Sequence, residues 1–156
     1  MKKYIHYFVI PLVVIGVSAI GGVFTNSGLG SWYQTLRLPP WTPEGSFIGA
    51  VWTALFILLA ISAILAYNAT RGKRRVAVMT AYAINGILNI GWSFLFFGQH
   101  LIYLAFWEAL LLLFSIVFIM WGVWRKSIWA GILLIPYALW VEFASFLTYV
   151  IWTLNG

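Results

Sequence analysis

Apolar residues run almost unbroken through five stretches of this chain, at about 4–25, 46–67, 76–97, 101–124 and 129–152, with polar residues gathered between them. A helix needs roughly 20 mostly apolar residues to cross a bilayer core about 30 Å thick, so each stretch predicts one span. In hydrocarbon no water satisfies the peptide groups, and a lone apolar segment meets that need as a helix. The pattern therefore predicts an all-α integral membrane protein, a five-transmembrane-helix bundle that forms a single domain over residues 1–156. Only Gly98, Gln99 and His100 separate the third and fourth spans, which predicts a tight helical hairpin. Lys2 and Lys3, with Val17-Ser18-Ala19 as a cleavage site, also fit a signal peptide. The apolar run continues past that site through Val23 and Phe24, which favours a span. No low-complexity segment or internal repeat stands out.

Composition agrees. The chain is 63% hydrophobic and 8% charged, whereas soluble domains carry about 25% charged residues. Glu44, Glu108 and Glu142 are the only acids, and there is no Asp or Cys. The net charge of +6 does not point to nucleic acid, because the few basic residues sit between apolar runs. They act instead as topology signals. Eight of the nine lie at the N-terminus (Lys2, Lys3), in the second loop (Arg71, Lys73, Arg74, Arg75) and in the fourth (Arg125, Lys126), with Arg37 alone opposite. Basic loops stay inside, so a cytoplasmic N-terminus and an outward C-terminus are expected, with the cell membrane as the location. Trp121, Trp124 and Trp129 flank the inner cluster as an aromatic belt, and Trp107 and Trp152 do the same outside.

The first loop, about 26–45, is not a solvated linker. It carries Trp32, Tyr33, Leu36, Leu38, Pro39, Pro40, Trp41 and Pro43. Consecutive prolines stiffen the backbone, so the segment reads as a lid over the helix ends or as an interfacial anchor. In the third span Asn85, Asn89 and Trp92 share one helix face. Unpaired amides are costly in hydrocarbon, so this stripe faces the bundle interior, either as interhelical glue or as a cavity wall. By helix rise, Trp92 lies roughly 8 Å and Asn89 roughly 12 Å below the outer end of their span, Trp52 roughly 9 Å with Phe56 a turn lower, and Trp140 roughly 18 Å. Aromatic walls with a few amides suit a large, flat, mostly apolar ligand.

Other features carry weaker expectations. Pro136 is expected to kink the fifth span. Ser18 and Gly22, four apart, read as a close-packing face. Glu142 lies near mid-bilayer, where an ionisable residue suggests function by default; offsets of two from Trp140 and Ala144 turn it away from their face, toward a helix or dimer interface. Glu108 is shallower, within reach of polar groups near the outer surface. His6 and His100 sit at span ends, where solvated imidazoles are expected; His100 is also a candidate axial ligand for haem.

The order Gly21-Gly22, Trp32-Tyr33, Leu36, Pro39, Trp41, Pro43, Trp52, Asn89, Trp92-Ser93, Phe96-Phe97-Gly98, Pro136-Tyr137, Trp140-Val141, Phe143-Ala144, Leu147, Ile151-Trp152 and Asn155 resembles the translocator protein family, also called TspO or tryptophan-rich sensory proteins. The resemblance covers essentially the whole chain. It implies a five-helix bundle, often a homodimer, whose cavity opens toward the first loop and takes porphyrins such as protoporphyrin IX and haem. Some members bind cholesterol or synthetic drugs, and some bacterial members degrade porphyrin in light. Carried over by position, Trp52, Asn89, Trp92, Trp140 and Ala144 look like cavity residues, and Trp32 and Tyr33 like loop contacts. Phe56, Asn85, Ser93, Phe143 and Leu147 complete the candidate ligand set. Glu44 stands where many members have a second Pro, Asn85 where Gln is common, and Thr148 where Asn is frequent. No basic residue follows Tyr149, so the cholesterol pattern, itself weak, is incomplete.

These features predict a tetrapyrrole-binding membrane protein, a receptor or transporter, with no obligatory cofactor, no metal site and no nucleic-acid partner. Alternatives are a light-dependent porphyrin-degrading enzyme, with Trp52 and Trp140 as oxidisable partners, and a sterol or lipid translocator. No triad, metal cluster or phosphate loop supports dark catalysis.

Overall fold

The structure, a computed structural model, describes residues 4–156. Helix α1 spans His6–Leu29, α2 Gly45–Ala69, α3 Gly72–Ser93, α4 Ile102–Trp124, α5 Ile128–Ile132 and α6 Ile135–Asn155. A 3-10 turn, Trp32–Thr35, lies in the first loop. Five segments are long and apolar enough to cross a membrane, the third and fifth being α3 with the turn after it and α5 with α6. This is the all-α bundle that the apolar pattern predicts. Lys2 and Lys3, used for orientation, lie outside the described residues.

The helix ends depart from the expected boundaries for definable reasons. α1 runs four residues beyond the apolar stretch. Thr25 and Ser27 return their hydroxyls to the carbonyls of Gly21 (3.0 Å) and Phe24 (2.7 Å), so their polarity does not end the helix. Gly28 lets this last turn meet the third span: a Cβ there would lie 2.5 Å from the Phe97 carbonyl oxygen.

At the opposite end, the basic cluster expected in a loop opens α3. Gly72 takes φ +53°, a left-handed conformation that suits glycine. Arg74 Nη2 donates to the Gly122 carbonyl (3.0 Å) in the last turn of α4, and Arg75 Nε to the Thr70 carbonyl (2.9 Å) just after α2. Carbonyls at helix C-termini lack intrahelical donors, and the two guanidinium groups supply them. Arg75 also covers the Tyr67 ring at 4.1 Å.

α3 ends in a widened turn, Phe94–Gly98, with the Gln99 amide bonded to the Phe94 carbonyl (2.8 Å) and the Leu101 amide to the Leu95 carbonyl (2.9 Å). His100 at φ 59° reverses the chain into α4, which makes the expected hairpin. The fifth span is broken rather than kinked. Ser127 Oγ accepts from the Ala130 amide (3.3 Å) at the start of α5. The chain then turns at Leu133–Leu134, and Pro136 falls at the second position of α6, where its missing N–H removes no helix bond. Gly131 is required here, because a Cβ would overlap the Trp124 ring.

α4 packs between α3 and α6, and α1 packs on α3 and α2. The core has two parts. Leu55 and Leu59 of α2, Leu112, Ile116, Ile119 and Val123 of α4, Leu134, and Tyr137 and Val141 of α6 close one part solidly. Nearer the first loop, Phe96, Phe97, Ala105, Leu147 and Ile151 form the other, with Trp32, Tyr33, Leu36 and Leu38 packed on it. The remaining outward faces are apolar. Trp121 and Trp129 are well exposed beside Arg125 and Lys126, as belt residues would be.

His6 is buried rather than solvated, its ring 4.1 Å from Tyr7 and 4.3 Å from Tyr67. Glu108 also departs from expectation. It is buried against Gly91 with no hydrogen-bond partner among the described residues for either carboxyl oxygen, not directed to surface polar groups. Glu142 is exposed on the outer face of α6, turned away from the bundle as its offsets imply.

Candidate ligand cavity

In the half of the bundle nearer the first loop the helices part around a cavity of about 660 Å³. This lies within the roughly 300–1,000 Å³ typical of small-molecule sites. α2 contributes Trp52 and Phe56; α3 contributes Asn89, Trp92 and Ser93; α6 contributes Trp140, Phe143, Ala144 and Leu147. Tyr33, Leu38, Pro39 and Pro43 of the loop roof it, and Ser18, Gly21, Gly22 and Thr25 of α1 form the remaining wall. Among the described residues, no Asp, Glu, Lys, Arg or His lines it. The wall is therefore aromatic, with hydroxyls and one α3 amide.

The rings are held by one another. Trp92 stacks on Phe96 at 5.1 Å, Trp52 lies 5.7 Å from Phe56 and edge-on to Tyr137 at 6.2 Å, and Trp140 lies 5.4 Å from Phe143. The indole N–H groups of Trp92 and Trp140 are buried without an acceptor among the described residues. Burial pushes the Tyr33 hydroxyl above its ordinary pKa, so it stays neutral in the roof.

Two residues of the candidate set stand elsewhere. Asn85 does not line the cavity. It is fully buried one turn deeper, where its Nδ2 donates to Ser115 Oγ (2.8 Å) and its Oδ1 accepts from the Tyr137 hydroxyl (3.2 Å). The Asn89 amide donates to that hydroxyl at 3.2 Å. Asn85 is thus the interhelical glue, and Asn89 joins glue and wall. Trp32 is also outside the cavity: its ring stacks on His100 at 4.2 Å and meets Phe96 edge-on at 5.4 Å, pinning the roof from above. His100 is exposed there and does not line the cavity.

Sequence reasoning missed the α1 wall. Ser18 and Gly22 face the cavity instead of packing on a helix, and nothing lies within 4 Å of a Cβ at Gly22. The close α1 contacts are made by Gly21 toward Ser93, by Val17 toward Gly86 and by Gly28 toward Phe97. Tyr137, the centre of the amide chain, carries no periodic signal that marks it.

The roof is fastened along its length. Both atoms of the Asn155 amide bond the Arg37 backbone, and Trp41 stacks on Phe146 at 5.7 Å. Thr42 turns the chain into α2 through bonds from its amide (3.0 Å) and hydroxyl (2.7 Å) to the Pro39 carbonyl.

Comparison with known proteins agrees with this architecture. The TspO/MBR family model matches residues 8–153. The chain is 32% identical over 156 residues to the uncharacterized membrane protein YtaB of Bacillus subtilis, covering 99% of each. It is 36% identical over 143 residues to the tryptophan-rich protein TspO of Chlorobaculum tepidum, covering 90% of each. A sheep translocator protein is 33% identical over 127 residues, 80% of this chain and 75% of that one. On a match that runs from α1 to the last turn of α6, this chain belongs to the TspO/MBR family.

Proposed function

We propose that the cavity binds porphyrins, such as protoporphyrin IX and haem, and similar flat hydrophobic molecules, and that the protein works as a membrane receptor or transporter for them. The supporting observation is the cavity wall itself: Trp52, Trp92 and Trp140 with Phe56 and Phe143 around an uncharged space, and Asn89 as a fixed polar group. Broad apolar surface favours burial of a flat ring system, at about 25 cal/mol per Å². The unpaired indole N–H groups offer donors to carbonyl or carboxylate oxygens. The functional unit in this reading is a homodimer in the cell membrane with a cytoplasmic N-terminus, and it needs no cofactor beyond its ligand.

Light-dependent degradation of the bound pigment is the second reading. It is favoured by the placement of the oxidisable rings of Trp52 and Trp140 in the same wall. A sterol-translocating role has less support. Tyr149 is exposed beside Phe106 and Trp152, outside the cavity, and residues 150–156 include no Lys or Arg.

Titration of protoporphyrin IX into the purified protein in the dark, followed by tryptophan quenching and then illumination, tests both readings. Saturable quenching with a stable spectrum supports binding alone. A new absorbing product, suppressed in Trp52→Phe and Trp140→Phe, supports the photochemistry. Absence of saturable quenching removes both.

A further inference from the structure

The cavity is not closed on every side, and its exposed lining residues lie together. They are Asn26 on α1, Gln34 at the roof edge, and Gly45, Gly49 and Thr53 on α2. Every lining residue of α3 and α6 is buried or half-buried. The opening therefore lies between α1 and α2. Gly45, Gly49 and Thr53 recur every four residues and share one face of α2, and Ser18, Gly22 and Asn26 form the matching row on α1. Among the described residues, a Cβ built at Gly22 or Gly49 meets nothing within 4 Å.

The same two helices are joined at their other end. His6 lies against Tyr67 at 4.3 Å, and Asn68 Nδ2 donates to the Tyr7 hydroxyl at 3.0 Å. They are thus fastened at one end and parted at the roof end. By helix rise, Thr53 lies roughly 12 Å and Ser18 roughly 17 Å from the roof-side ends of their helices. A hydrocarbon core about 30 Å thick has leaflets of half that depth, so the slit spans the roof-side leaflet.

The roof is the fastened part. Asn155 bonds both the amide (2.9 Å) and the carbonyl (3.0 Å) of Arg37, Trp41 stacks on Phe146, and Trp32 on His100. Moving it would break all of these together. Passing a thin, flat molecule edge-on between two rows of small residues breaks none of them.

We propose that the α1–α2 slit is a lateral window through which the ligand, dissolved in the roof-side leaflet, reaches the cavity beneath a roof that stays in place. This rests on the reading of the cavity as a site for flat apolar ligands, which concentrate in hydrocarbon before they meet the protein. The surface around the slit is therefore an interface with lipid, and the ligands served are those that partition into the bilayer.

The test uses the full chain in phosphatidylcholine vesicles, with protoporphyrin IX as the probe and stopped-flow tryptophan quenching as the readout. Gly22→Leu and Gly49→Leu, each filling open space at the slit, are expected to slow association by about tenfold and to slow dissociation as well. The chain has no native Cys, so Arg37→Cys/Asn155→Cys can be joined through two reducible disulfides by a short bis-methanethiosulfonate that pins the roof. Pinning is expected to leave both rates unchanged. Wild-type rates in the leucine variants, or a roof-pinned protein that loads about tenfold more slowly and recovers on reduction, overturn the window. In those failures the wild-type protein still shows saturable quenching. A wild-type protein that shows no saturable quenching instead removes the ligand reading, and the window with it.

Discussion

Asn155 and Arg37, 118 residues apart, are tied by two hydrogen bonds: Asn155 Oδ1 accepts from the Arg37 amide at 2.9 Å, and Asn155 Nδ2 donates to the Arg37 carbonyl at 3.0 Å. The side chain acts as one residue of a short β ladder, and Nδ2 also bonds the Ile151 carbonyl at 2.8 Å within its own helix. The last turn of α6 thereby holds the middle of the first loop.

Asn155→Ala is expected to loosen the loop without unfolding the bundle. Each lost bond is worth about 0.5–1.5 kcal/mol. Amide hydrogen exchange across residues 30–43 should rise accordingly, while exchange in α4 stays slow. If the loop amides keep wild-type protection, this clasp does not secure the roof.

Tyr137→Phe and Asn85→Ala are expected to cost stability more than affinity. The Tyr137 hydroxyl bridges Asn89 and Asn85, so its removal strands the buried Asn85 oxygen. Interhelical bonds of this kind contribute about 0.6–1.7 kcal/mol each in membranes. Denaturant titration in mixed micelles reads that loss, and porphyrin titration reads the affinity. Asn89→Ala should weaken binding as well, because Asn89 lines the cavity and Asn85 does not. Equal affinity loss in Asn85→Ala and Asn89→Ala would contradict the division between glue and wall.

Glycine substitutions should separate by position along α1. Gly28→Ala drives a methyl toward the Phe97 carbonyl and is expected to destabilise by about 1–3 kcal/mol, as overpacking does. Gly22→Ala meets nothing within 4 Å and is expected to be neutral or to gain up to about 1 kcal/mol from the lower backbone freedom of alanine. Thermal melts of the two variants in one detergent decide the matter, and a lower midpoint for Gly22→Ala than for Gly28→Ala goes against it.

Trp140→Phe and Trp52→Phe are expected to weaken protoporphyrin binding by about tenfold each, since aromatic pairs add about 0.5–1.5 kcal/mol beyond area. Trp121→Phe, at a residue 77% exposed on the outer face, should leave affinity unchanged. Quenching titrations distinguish these cases, and a Trp121 effect as large as that of Trp140 would point to nonspecific quenching at the surface.

The five spans are legible in the sequence because a helix in hydrocarbon is coded by length and apolarity, without reference to its neighbours. The aromatic wall is legible for a related reason: spacing and depth together carry Trp52, Asn89, Trp92 and Trp140 into the same half of the bundle. Depth is also where the reading stops. Asn85 shares the face of Asn89, yet Tyr137 crosses from α6 between their levels and closes the space there, a packing event that one helix's periodicity cannot express. The same holds for Ser18 and Gly22. Small residues four apart mark either a close contact or a gap, and only the placement of the other helices shows that here they border the gap. The break before α6 depends on Ser127, Gly131 and Trp124 acting together, whereas Pro136 alone suggests only a bend. Trp32 and His6 are placed by ring stacking in segments without a repeat.

The solid half of the core gives the site a floor. Tyr137, Leu59, Ile116 and Leu134 fill the bundle below the cavity, and Ser62 locks α2 to the Ala130 carbonyl (2.7 Å) and to the Tyr82 hydroxyl (2.6 Å) further down. In this conformation the protein is a vestibule with one threshold, not a conduit. On the proposed reading, a bound ligand leaves toward the face from which it came. Vectorial passage would need a second arrangement in which the Ser62 lock is undone and the amide chain around Tyr137 is broken, so the side chains that make the bundle rigid also set its sidedness.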